Sequence, residues 1–154
     1  MMQYNIAQLN IGRMTGVNIN DPVMKEFKDQ LDTINALAER TEGFVWRLKS
    51  EGGNATEFNP YNDDRIIVNF SVWESVDQLK NYVYRSAHTD VMRYRQKWFE
   101  KFGKPYYVLW YINKGYIPTL KEAVERLEYL QQNGCTNAAF DFSNIFPPPG
   151  NNNI

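Results

Sequence analysis

A chain of 154 residues, 43% hydrophobic and 23% charged, is long enough to bury one real core and too short for two domains of ordinary size. Its formal net charge of −1 leaves no electrostatic footprint for nucleic acid or an anionic membrane. The single cysteine, Cys135, cannot form an internal disulfide, and no apolar run approaches the ~18 residues of a membrane span. The expected protein is soluble and cytoplasmic, binding neither nucleic acid nor membrane. One domain is expected over 1–147, with a flexible tail over 148–154.

The alternation of residues 3 to 11 predicts a first strand, with Ala7, Leu9 and Ile11 on one face and Tyr4, Ile6, Gln8 and Asn10 on the other. Gly12 to Asn20 reads as a loop. Asp21-Pro22 then opens a helix, aspartate as cap and proline in the first turn. Val23, Phe27, Leu31, Ile34 and Leu37 or Ala38 carry its apolar stripe to about Arg40, and Gly43 ends the connection.

Phe44 to Lys49 is the second expected strand. The polar stretch from Ser50 to Asp64 is long for a hairpin, which marks it as a rim or lid. Arg65 to Trp73 is the third strand. Ser75 with Gln78 forms a capping box, and helix follows to Phe102 with a break near Arg85 or Ser86. Tyr106 to Ile112 is the fourth strand. Thr119 with Glu122 caps a last helix that runs to Gly134, and the aromatic stretch Phe140 to Phe146 reads as an extended arm over the domain edge. This order gives an α+β fold, a ferredoxin-like βαββαβ sandwich with an extra C-terminal helix and arm.

The helix after the third strand carries the only histidine. At about 100° per residue, an arc of roughly 160° collects Ala87, Val91, Trp98, Phe99 and Phe102 together with His88 and Arg95. A polar pair on an apolar face is either a satisfied core feature or the lining of a site. One histidine without an HxH, HExxH or CxxC companion does not make a metal centre.

The strands add a second clue. Ile66, Val68, Phe70 and Val72 form a wholly apolar face suited to helices, whereas Ile67, Asn69, Ser71 and Trp73 mix polar and aromatic groups. The fourth strand sets Val108, Trp110 and Ile112 against Tyr107, Leu109 and Tyr111. Helices are expected to cover only one face of such a sheet, the apolar one, so the mixed face either meets the same face of a second copy or stays open to solvent. The first alternative predicts a homodimer enclosing a semi-polar space.

These residues resemble the dimeric α/β-barrel superfamily, which includes the antibiotic-biosynthesis and haem-degrading monooxygenases. Val72-Trp73-Glu74-Ser75 and Ser86-Ala87-His88 carry the broad resemblance. Gly43 to Leu48, His88 with Trp98-Phe99, Val108 to Tyr111, Thr119 to Leu130 and Ala139 to Pro147 resemble a bacterial family of domains of unknown function. The resemblance implies a dimeric barrel acting as a monooxygenase-like oxidoreductase on a flat aromatic or apolar small molecule, or else a non-catalytic binder or structural dimer. It places Asn10 and His88 at the catalytic positions, His88 as general base or, if haem binds, as its axial ligand. Tyr82 stands where haem-degrading members have a tryptophan. Arg95, Tyr82, Trp73, Asn69 and Tyr107 are the expected substrate-binding residues. No metal and no certain cofactor is implied, haem being the one candidate.

Overall fold

The computed structural model describes residues 3–49, 58–85 and 95–150. In chain order these form β1 (Tyr4–Arg13), a 3-10 turn (Pro22–Met24), α1 (Lys25–Arg40), β2 (Phe44–Arg47) and β3 (Ile66–Trp73). Then come α2 (Val76–Arg85), the short α3 (Arg95–Trp98), β4 (Tyr107–Asn113) and α4 (Leu120–Asn133). The strands make one antiparallel sheet in the order β2-β3-β1-β4. None of the described helices is long and apolar enough to cross a membrane.

Local chemistry sets the boundaries. Asp21 Oδ1 accepts the amide of Val23 at 3.1 Å, so the aspartate cap opens the 3-10 turn, and α1 proper starts at Lys25. That offset turns Val23 outward, 50% exposed, and buries Met24 in its place. The N-cap half of each capping box forms as the spacing predicts: Gln78 N donates to Ser75 Oγ at 3.2 Å and Glu122 N to Thr119 Oγ1 at 3.1 Å, while Gln78 Oε1 accepts from Ser75 Oγ and Glu122 Oε1 from Tyr116 Oη. Gly43 takes φ +93°, where a Cβ would strike the side chain of Gln78, so only glycine joins α1 to β2 there.

Two boundaries differ from the sequence reading. β1 runs through Gly12 instead of ending before it, and the ring of Phe99 occupies the space a Cβ would need. The helix ahead of β4 stops at Trp98, four residues short of Phe102. Thr15 N donates to Trp98 O and Glu100 N to Arg13 O, both at 2.8 Å, so strand-like bonds to the end of β1 replace the helical ones.

The sheet is covered on both faces, which corrects the expectation that helices reach one face only. Ala123, Leu127 and Leu130 of α4 pack on the apolar face against Leu9, Phe70 and Trp110. α1 and α2 lie on the mixed face, where Ala38, Leu79 and Tyr82 meet Ile6, Trp73 and Leu109. The extra C-terminal helix therefore takes the face assigned to the first two, and those two enclose the semi-polar one within a single chain. Phe58 and Tyr61, the described end of the long loop, pack on the apolar side, away from the mixed face; residues 50–57 lie outside the described residues.

After α4 the chain crosses the edge of β4. Phe140 exchanges backbone hydrogen bonds with Leu109 at 2.8 and 2.9 Å, and Tyr111 Oη donates to Phe146 O at 2.8 Å. The arm is thus a docked edge segment, and its aromatic side chains join the mixed-face core.

Candidate functional site

The antiparallel register lines up side chains in rows across the mixed face. Asn69, Asn10 and Tyr107 are directly opposite one another on β3, β1 and β4. One step along stand Arg47, Ser71, Gln8 and Leu109, then Phe44, Trp73, Ile6 and Tyr111. Two rows are polar near the sheet centre, and the third is aromatic.

Over these rows α1, α2 and the arm leave a cavity of about 220 Å³. Its floor includes Gln8, Asn10, Asn69 and Ser71, and Asn35 and Arg47 add polar groups at the side. Trp73, Tyr82, Leu109 and Phe142 supply apolar wall. Gln8 Nε2 donates to Asn69 Oδ1 at 2.7 Å and to Ser71 Oγ at 2.8 Å, while Trp73 Nε1 donates to the same Oγ at 2.9 Å. Ser71 accepts twice, which leaves its own hydroxyl hydrogen as the remaining donor. The amide of Asn10 has no hydrogen-bond partner among the described residues.

The aromatic wall is braced. Trp73 stacks on Tyr82 with centroids 5.0 Å apart at 28°, and Phe44 meets Trp73 edge-on at 5.5 Å. Phe142 packs between Tyr107 at 5.7 Å and Tyr84 at 5.6 Å, and its backbone amide donates to Tyr107 Oη. Burial pushes the Tyr107 phenol up to about 12 and holds Tyr82 well above its ordinary value, against the opposing pull of Arg47. Both phenols are therefore neutral at ordinary pH, hydrogen-bonding groups and not bases.

Of the residues expected from sequence, Asn10, Asn69, Trp73, Tyr82 and Tyr107 line this cavity together. Arg95 is not among the lining residues. Its guanidinium lies over Tyr106 at 4.5 Å and Phe99 at 4.8 Å and donates to Ile11 O at 3.4 Å, behind the Tyr106 that does line the cavity. Burial pulls its pKa down. His88 and the segment 86–94 lie outside the described residues. The sequence reading missed Arg47, Asn35 and the arm's Phe142. Gln8 and Ser71 were on the right face and were not singled out.

Haem needs an axial ligand and a wide slot. The described lining offers phenols but no imidazole, thiolate or thioether, burial keeps the Tyr82 and Tyr107 phenols protonated, and about 220 Å³ lies below the ~300–1,000 Å³ of sites for drug-sized ligands. The described residues do not fit haem, and they hold no cluster of three or more His, Cys, Asp or Glu side chains for a metal.

No curated protein matches the chain. Among solved structures it is similar to SnoaB, a cofactor-independent oxygenase from Streptomyces nogalater, at 15% identity and a TM-score of 0.46, covering 75% of this chain and 96% of that one. A conserved protein from Methanosarcina mazei Go1 aligns at 13% identity and a TM-score of 0.50, covering 73% and 94%, which shows a shared fold. NE2512, a protein of unknown function from Nitrosomonas europaea, aligns at 11% identity and 0.47, covering 77% and 97%. The family assignment comes from sequence: the DUF3291 profile, a domain of unknown function, matches residues 5–154, and the chain belongs to that family.

Proposed function

We propose that the cavity binds a flat, largely aromatic small molecule of one or two rings with polar groups along one edge. The observation that carries this reading is the facing of an aromatic wall, Trp73 on Tyr82, with an amide and hydroxyl floor inside about 220 Å³. Rings fill the wall, and Asn10, Asn69 and Ser71 supply directional bonds that a purely apolar pocket lacks. Calorimetric titration with 2-naphthamide tests it: saturable binding is expected, weakened by Trp73→Ala, and absence of heat at any accessible concentration sinks the reading.

Monooxygenase-type oxidation is the second reading, favoured by the unspent amide of Asn10. In it Asn10 donates to an oxyanion as it develops, and His88 takes the substrate proton. Conversion of a ring methylene to a carbonyl by dioxygen balances with one water and no added reductant. Oxygen uptake with an anthrone-type substrate, wild type beside His88→Ala, decides between catalyst and binder. Uptake lost in a variant that still folds supports catalysis; no uptake in the wild type leaves a binder.

The strand order β2-β3-β1-β4 supports reading the fold as a ferredoxin-like sandwich, and a homodimer belongs to the same reading. Its support is the outer edge of β2, which among the described residues pairs with β3 alone and leaves unpaired backbone groups for a second copy. Sedimentation should give twice the 18.1 kDa of one chain.

A further inference from the structure

Arg47 is the only formally charged side chain among the described residues that line the cavity. Its side chain is 12% exposed, and Nε donates to Glu39 Oε2 at 2.9 Å. Nη1 and Nη2, which carry four of the five guanidinium hydrogens, have no partner among the described residues. Glu39 in turn faces a second cation, Lys49 Nζ at 3.8 Å. One carboxylate between two cations leaves this corner net positive, and the neutral phenols of Tyr82 and Tyr107 do nothing to offset it.

Position reinforces the charge. Arg47 is directly opposite Ser71, in the same row as Gln8, so the guanidinium, hydroxyl and amide follow one another across β2, β3 and β1. We infer that the ligand of this cavity is an aromatic anion, a ring carboxylate or ionised phenol, whose charged group meets the free edge of Arg47 while its rings lie on Trp73 and Tyr82. This rests on the binding reading above and narrows it to a charge class. Arg suits the task because its planar fork takes a carboxylate through two parallel N–H bonds, and charge-assisted bonds are roughly twice as strong as neutral ones.

The test compares 2-naphthoate with its neutral isostere 2-naphthamide by calorimetry. Wild type should bind naphthoate about tenfold more tightly, about 1.4 kcal/mol. Arg47→Met should erase that preference, lowering naphthoate affinity by about tenfold more than naphthamide affinity. Glu39→Gln, which releases Arg47 from its own carboxylate, should tighten naphthoate alone. A wild type that binds both probes equally, or prefers the amide, overturns the anion assignment and leaves the cavity reading standing. Failure to bind either probe removes both. A measurement without variants covers the case in which Arg47→Met does not fold. The absorbance of 4-nitrophenol on the wild-type protein should report a bound pKa below its free value, and a raised one overturns the inference.

Discussion

The indole of Trp73 stacks on the phenol of Tyr82 while its Nε1 donates to Ser71 Oγ, so one side chain both builds the cavity's aromatic wall and fixes its polar floor. Trp73 is 1% exposed. Trp73→Ala should cost about 3–5 kcal/mol in urea denaturation, whereas Trp73→Phe, keeping a ring but losing the donor, should cost about 1 kcal/mol. Equal costs for the two would mean that the bond to Ser71 contributes most of the stabilisation.

Gly12 has no room for a methyl group. A Cβ there would lie 2.7 Å from Phe99 Cδ1, and Phe99 is itself held edge-on against Phe27 at 5.0 Å. Gly12→Ala should destabilise by about 1–3 kcal/mol. Adding Phe99→Leu should recover part of that loss, and a double-mutant cycle with strictly additive effects would refute the contact.

The Tyr107 phenol, raised by burial from its ordinary 10 to about 12, gives an alkaline dependence of stability. Folded protein holds this proton more tightly than unfolded, so the contribution is intact below pH 10 and is lost as pH rises from 10 through about 12. The denaturation midpoint should fall across that window, less steeply in Tyr107→Phe. An unchanged slope would assign the effect to Tyr61, also raised to about 12 by burial, or to Tyr82.

Phe142→Ala removes the arm's contribution to the cavity wall. Because its ring meets Tyr107 and Tyr84, both at the cavity side, 2-naphthamide binding should weaken several-fold with a small change in melting. A large drop in melting temperature with unchanged affinity in the folded protein would make the arm a purely structural brace.

Leu127→Ala provides the converse. The side chain is fully buried beneath α4 on the apolar face, and its removal should cost about 2–5 kcal/mol. Since the sheet separates it from the cavity, naphthamide affinity should stay the same in protein that remains folded.

Much of the framework was legible because short-range chemistry carries it. Ser75 with Gln78 and Thr119 with Glu122 mark helix starts by bonds spanning three residues, and the period-2 pattern of β3 separates its two faces cleanly. Arg47 was not legible, for a definite reason. β2 shifts register between Phe44 and Trp46, so Phe44 reaches Trp73 on the mixed face while Trp46 turns to Phe70 on the apolar one. Strict alternation would have kept those two rings on one side and Arg47 on the other; a bulge reverses the parity after it. Coverage of both sheet faces was missed because α4 returns from beyond β4, and composition alone does not say which face a returning helix will take.

The rows across the mixed face act as a ruler. Neighbouring strands stand about 4.8 Å apart, and alternate residues along one strand about 6.7 Å. Arg47, Ser71 and Gln8 stand on successive strands, with Asn69 and Asn10 one step along. Spacing among these groups is therefore set by the sheet's backbone lattice and changes little with rotamer choice. A molecule that satisfies them must carry its own polar atoms at matching intervals, as substituents across a single ring or a fused pair do. Selectivity here would reside in substituent pattern more than in overall size, and regioisomers of one compound should be told apart more sharply than homologues of different length.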